Sequence, residues 1–126
     1  MSSLSGRRVM ITEDEVMVGL ALEDNLKSAG CEFVGLASNY QSACDLLDRE
    51  QIDLGILDIN LGGETVFPLA SKLRLLGIPF FFLTGYHRGQ FVSPEFSDFV
   101  WLEKPVKDSL VIDTAIKLLE SAALVL

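Results

Sequence analysis

Ile52-Asp53-Leu54-Gly55-Ile56-Leu57, followed at once by Asp58, is the stretch that decides the fold. It reads as a strand that delivers a carboxylate at its carboxyl end. Working outward, Ser38 or Asn39 caps a helix running to about Glu50, and Phe33-Val34-Gly35-Leu36-Ala37 reads as the strand before it. Further upstream, a helix from about Val16 to Ala29 ends at Gly30, where helices favour a left-handed residue. Val9-Met10-Ile11 opens the series as a short buried strand ending in Thr12-Glu13-Asp14-Glu15. Downstream, Leu61-Gly62-Gly63 makes a turn, and a helix is expected from about Glu64 to Leu76, stopped by Gly77. Ile78-Pro79-Phe80-Phe81-Phe82-Leu83 is the fourth strand, with Pro79 at its start where a missing donor is tolerated. Phe99-Val100-Trp101-Leu102 is the fifth, and a last helix runs from about Val106.

Strands that are continuously apolar and alternate with helices indicate a parallel sheet covered on both faces. Right-handed crossovers restrict five such strands to an α/β, doubly wound, five-stranded parallel sheet. One connection breaks the pattern. The segment from Gly85 to Ser97 contains two glycines and a proline and no sustained helical period, so a short or disordered fourth helix is expected there.

The 126 residues fit a single domain, 1–126, with 1–6 as a flexible polar leader and no output module, linker or repeat. With 49% hydrophobic residues the chain is too apolar for a disordered tail, and no run reaches the length of a membrane span. The net charge of −8 argues against nucleic acid as a direct partner, because phosphate backbones require Lys and Arg. Cys31 and Cys44 have no metal-ligand spacing and suggest no disulfide framework, which points to a reduced, cytoplasmic setting.

Ligands of doubly wound sheets bind at the carboxyl ends of the strands. Those ends carry Glu13, Asp14, Asp58, Thr84 and Lys104. Three carboxylates in one crevice repel one another unless a counter-ion joins them. Mg²⁺ suits carboxylates, water and a phosphoryl oxygen, and the Asn60 backbone carbonyl offers a further ligand. A carboxylate can attack phosphorus to give an acyl phosphate, a reaction that needs positioning and neutralised oxygens. The metal, the Lys104 ammonium and the Thr84 hydroxyl then take one phosphoryl oxygen each.

With Glu13-Asp14, Asp58, Thr84 and Lys104-Pro105 in this order, the sequence resembles the receiver domain of two-component response regulators, a flavodoxin-like fold. Phe82-Leu83-Thr84-Gly85-Tyr86 resembles the signature of the alphaproteobacterial single-domain FATGUY subgroup, with Pro79-Phe80 and Asn60-Leu61 in keeping. The resemblance implies a stand-alone regulator, not a true enzyme. It implies that Asp58 accepts phosphate with Mg²⁺ from a histidine kinase, of the HWE or HisKA2 type, or from a phosphotransfer protein. A downstream protein partner or a phosphate-sink role follows from the same resemblance, as does a cis Lys104-Pro105 bond aiming the ammonium into the crevice. It further places Gly85, Tyr86, Trp101 and Pro105 as switch or support residues. Trp101 departs from the usual Tyr or Phe three residues before the lysine. His87 reads as a solvated side chain. An aspartyl-phosphate hydrolase is disfavoured because Asn60 stands where a general acid belongs, and Glu13-Asp14-Glu15 replaces the glycine-rich loop of a nucleotide site. In the first helix Met17, Val18, Leu20, Ala21 and Leu22 cover more than one face, which leaves some exposed for a kinase.

Overall fold

In the computed structural model, which describes residues 3–85 and 94–124, the apolar runs pair as parallel strands. The chain order begins β1 (Arg8–Thr12), α1 (Val16–Ser28), β2 (Phe33–Ala37), α2 (Tyr40–Arg49) and β3 (Leu54–Asp58). It continues through β4 (Asn60–Leu61), β5 (Glu64–Thr65), α3 (Phe67–Leu75) and β6 (Phe80–Thr84). β7 (Trp101–Glu103) and α4 (Asp108–Leu124) complete it. The main sheet has five strands in the order β2-β1-β3-β6-β7, so the winding reverses between β1 and β3. At that reversal the two crossovers leave in opposite directions and open a crevice.

Alternation along each strand divides the core between the two faces. Met10, Leu57, Phe80 and Phe82 pack with Leu46 of α2 and Leu69 and Leu73 of α3. Val9, Ile11, Ile56 and Phe81 point the other way, onto Leu22 and Leu26 of α1 and Val111 and Ala115 of α4. The three consecutive phenylalanines are thus shared between both cores, and each fully buried ring contributes about 1.5–3 kcal/mol.

Three local features depart from the sequence reading. The helix expected from Glu64 begins at Phe67, because Glu64–Thr65 pairs back antiparallel on Asn60–Leu61. Gly62 and Gly63 have φ of 62° and 85°, so the two-residue loop makes the mirror-image turn that matches strand twist. A Cβ on Gly62 would stand 3.2 Å from the Ser38 carbonyl oxygen, which presses the hairpin against the entry to α2. Residues 3–6 do not behave as a flexible leader: Leu4 is 1% exposed among Val9, Leu26 and Cys31, and the Gly6 N–H donates to the Gly30 carbonyl. The final helix starts at Asp108, two residues later than expected.

Asn39, one of the two candidate caps, starts α2. Its side-chain oxygen accepts the Ser42 N–H at 2.8 Å while the Ser42 hydroxyl accepts the Asn39 N–H, a reciprocal capping box. Of the segment expected to lack a sustained helix, residues 86–93 lie outside the described residues. Its described end holds only the 3-10 turn Pro94–Phe96, with Phe96 fully buried. No helix among the described residues is long and apolar enough to cross a membrane.

Candidate functional site

Parallel strands place all their carboxyl ends on one side of the sheet, and that geometry assembles the site from distant parts of the chain. β1 ends at Thr12 just before Glu13, β3 ends at Asp58, β6 ends at Thr84, and Lys104 follows β7. Asp58 is ladder partner to Leu83, which puts Thr84 one step beyond it on the neighbouring strand. The Lys104 N–H donates to the Thr84 carbonyl at 2.8 Å, so the lysine continues the β6–β7 ladder into the crevice. The Lys104-Pro105 peptide bond is cis, as the resemblance implied.

The Lys104 ammonium donates to Asp58 Oδ2 and to Glu13 Oε2, both at 2.7 Å. One cation therefore bridges two buried carboxylates. Asp58 Oδ1 accepts the Asn60 N–H at 3.1 Å, and Glu13 Oε1 accepts the Glu15 N–H at 3.2 Å. The Asp58 N–H itself donates to the Thr12 hydroxyl at 3.1 Å. Gly19 lets α1 approach this corner, since a Cβ there would lie 3.0 Å from Leu36 and 3.6 Å from the Glu13 Cβ. A glycine inside a helix costs about 0.5–1 kcal/mol, and the close approach accounts for its use.

The charge balance follows from this geometry. Burial raises the Glu13 pKa; the Lys104 hydrogen bond pulls it down and the neighbouring Asp58 pushes it up again, leaving it above the usual carboxylate value. Burial works against the Lys104 ammonium, but its hydrogen bonds to Asp58 and Glu13 outweigh that cost and hold its pKa above the usual lysine value.

Glu13, Asp14 and Asp58 each offer a carboxylate oxygen, and these oxygens lie within 4.8 Å of one another. All the donors are hard oxygens, the set that Mg²⁺ or Ca²⁺ takes. Asp14 is the exposed member, and its Oδ2 accepts the Asn60 side-chain N–H at 3.3 Å. Lys104 engages both Glu13 and Asp58, which leaves Asp14 as the most open of the three carboxylates for an ion. The residues present fit a divalent cation.

The expected support residues are distributed unevenly. Gly85 is exposed beside Thr84, and Tyr86, like His87, lies outside the described residues. Trp101 turns inward: its ring centroid is 4.4 Å from that of Phe82, and its indole N–H donates to the Phe96 carbonyl at 3.0 Å. Phe96 also stacks on Phe67 of α3 at 5.9 Å, so aromatic rings knit β6, β7 and the 3-10 turn together. Thr12 was absent from the sequence-derived set. A threonine in a strand reads as a β-branched residue, and only the three-dimensional register exposes its bond to Asp58.

Comparison with known proteins agrees with this geometry. No family model matches the chain. It is 32% identical over 88 residues to transcriptional regulatory protein PdtaR of Mycobacterium tuberculosis, a match covering 69% of this chain and 43% of that protein. The chain thus spans less than half the length of that curated relative. Among solved structures, SdrG from Sphingomonas melonis Fr1 is similar over 94% of this chain and 98% of its own, at 33% identity and a TM-score of 0.76. A response regulator receiver protein from Sinorhizobium medicae WSM419 superposes with a TM-score of 0.82 over 95% of this chain and 99% of its own, at 24% identity, which speaks to the fold. Taken with acidic residues and a lysine gathered at the strand ends of this sheet, these likenesses show that the chain belongs to the receiver domains of two-component response regulators.

Proposed function

We propose that Asp58 is the phosphoacceptor of this receiver, taking its phosphoryl group from the phosphohistidine of a histidine kinase or phosphotransfer protein. The observation that carries the reading is the Lys104 ammonium held at 2.7 Å from Asp58 Oδ2 and Glu13 Oε2 beside a metal-competent carboxylate cluster. A carboxylate oxygen of Asp58 forms the new bond to phosphorus as the N–P bond breaks, and the departing imidazole keeps the electron pair. Lys104 then transfers its hydrogen bond from the carboxylate to one phosphoryl oxygen, and the Thr84 hydroxyl donates to another. Mg²⁺ bound by Asp14, Asp58, Glu13 and the Asn60 carbonyl would neutralise charge between carboxylate and phosphoryl group. Water attack at phosphorus later returns the free carboxylate and inorganic phosphate.

The Phe82-Leu83-Thr84-Gly85 run supports placement in the FATGUY subgroup and a kinase of the HWE or HisKA2 type. The domain then works in the cytoplasm, by switching a protein partner or by draining phosphate from a relay. Intact-protein mass after incubation with Mg²⁺ and acetyl phosphate tests the acceptor chemistry. One base-labile phosphoryl adduct, lost when EDTA replaces Mg²⁺, is expected. No adduct with acetyl phosphate or with candidate kinases would turn the reading toward a binding module that is never phosphorylated.

The approach of the donor can be tested separately. Met17, 78% exposed, and Val18 line an apolar groove with Ala21, Leu22, Pro105 and Val106 that reaches Lys104. A helical kinase or phosphotransfer domain covering this groove would bring its histidine to the strand ends. Met17→Asp puts a charge into the buried contact while adding a favourable acid to the first turn of α1. Its phosphorylation by the protein donor should fall on the order of tenfold, the scale of losing one interface anchor. Its reaction with acetyl phosphate should be unchanged. Equal losses with both donors would refute this docking surface.

A further inference from the structure

We propose that Thr12 is a positioning residue for phosphoryl transfer, holding the main chain of Asp58 through its hydroxyl. This inference rests on Asp58 being the phosphoacceptor. In β3 the Gly55 N–H donates across to Pro79, on the side of β6. Successive N–H groups alternate in direction, so Asp58, three residues later, donates toward β1. Thr12 pairs with Leu57 as the last rung of the β1–β3 ladder, a parallel pairing that directs the Asp58 N–H onto Thr12, while the Glu13 N–H belongs to the β1–β2 side and donates to the Ala37 carbonyl. The Thr12 side chain reinforces that last rung, its Oγ1 accepting the Asp58 N–H at 3.1 Å.

Thr12 is 1% exposed and Asp58 7%, so water does not readily replace that acceptor. The consequence is orientational. Asp58 carries its carboxylate at the very end of a strand, where the chain leaves the sheet for the β4–β5 hairpin. Its two carboxylate oxygens are separately engaged, Oδ1 by the Asn60 N–H and Oδ2 by Lys104. A peptide group fixed from the β1 side sets the angle at which the carboxylate meets both partners and the incoming phosphorus. Reaction geometry is sensitive to such placement, and a shift of about 1 Å can cost a factor on the order of 100 in rate. Thr12 touches no reacting atom, so its role is to position.

Thr12→Val, Thr12→Ser and Thr12→Ala separate this role from packing. Valine keeps the shape and strand preference but removes the acceptor; serine keeps the acceptor and loses the methyl. The measurement is the rate of adduct formation per folded molecule with acetyl phosphate at saturating Mg²⁺, with thermal midpoints recorded alongside. Thr12→Val is expected to react on the order of tenfold more slowly, and Thr12→Ser within about twofold of the parent. Hydrogen exchange at the Asp58 amide should quicken in valine and alanine but not in serine. If Thr12→Val reacts like the parent although its midpoint falls, the hydroxyl is structural only and the inference fails. If valine prevents folding, serine and alanine still decide: serine as slow as alanine overturns the proposal, and serine fast with alanine slow supports it. A parent protein that forms no adduct would instead defeat the acceptor reading on which this rests.

Discussion

Asp58→Ala is expected to form no phosphoryl adduct with acetyl phosphate or a protein donor, a loss of at least about a hundredfold because the nucleophile itself is gone. Its metal response should disappear with it. In the parent, an ion bound only by the folded state stabilises by about 2.7 kcal/mol when present at a hundred times its dissociation constant. Removing Asp58 takes one of the three carboxylates from the cluster, and the two left belong to exposed Asp14 and to Glu13, which Lys104 already engages. The metal-free variant should lose little stability, because deleting a buried carboxylate also removes its repulsion with Glu13. Calorimetry with and without Mg²⁺ checks both points. A variant that still gains the full Mg²⁺ stabilisation would show that the ion does not use Asp58, and a persisting adduct would place the acceptor elsewhere.

The gathering of these side chains at one end of the sheet is legible in the sequence alone. In a parallel sheet every strand ends on the same side, so one residue per strand end suffices to name the cluster. Glu13, Asp58, Thr84 and Lys104 each stand within two residues of the end of an apolar run. Where several local structures fit the same residues, the sequence was less decisive. Gly62-Gly63 permits either a loop before a helix or a tight hairpin, and only the antiparallel pairing of Leu61 with Glu64 selects the hairpin. Leu4 is a single apolar residue amid polar ones, with no periodicity to announce that it fills a space beside Val9, Leu26 and Cys31. Trp101 could be placed on its strand, but its inward turn depends on the carbonyl of Phe96, whose position belongs to a 3-10 turn without a strong local signal. Thr12 shows the limit most clearly. Its hydroxyl reaches the Asp58 N–H because the β1–β3 register sets Thr12 beside Leu57, and register is a property of two strands together.

Lys104→Met is expected to destabilise the metal-free protein by about 2–3 kcal/mol at pH 7, below the full cost of breaking a buried pair because the lysine side chain is 23% exposed. The variant keeps an apolar stem but leaves Glu13 and Asp58 facing each other without their shared cation. Two effects of pH distinguish this from simple loss of packing. The folded-state pKa of Lys104 is raised, so its contribution in the parent is fully present below the ordinary lysine value of 10.5 and is lost as pH rises through the higher folded value. The Glu13 pKa is raised as well, above an ordinary value of 4.5, so its ionised form opposes folding at neutral pH and that penalty falls as the group protonates. Without the ammonium, which pulls the Glu13 pKa down, the penalty grows. The variant should therefore regain stability on acidification from pH 7 toward 5 more steeply than the parent, and it should lose the parent's alkaline decline. Mg²⁺ supplies the missing positive charge, so it should restore more stability to Lys104→Met than it adds to the parent. Phosphorylation should nevertheless remain slow, because a metal-bound carboxylate still lacks the donor that Lys104 gives to a phosphoryl oxygen. Thermal midpoints measured across that pH range, with EDTA and with Mg²⁺, decide the matter. Identical pH slopes and identical Mg²⁺ responses in the two proteins would mean that the ammonium is a bystander to the acid cluster and that another group balances its charge.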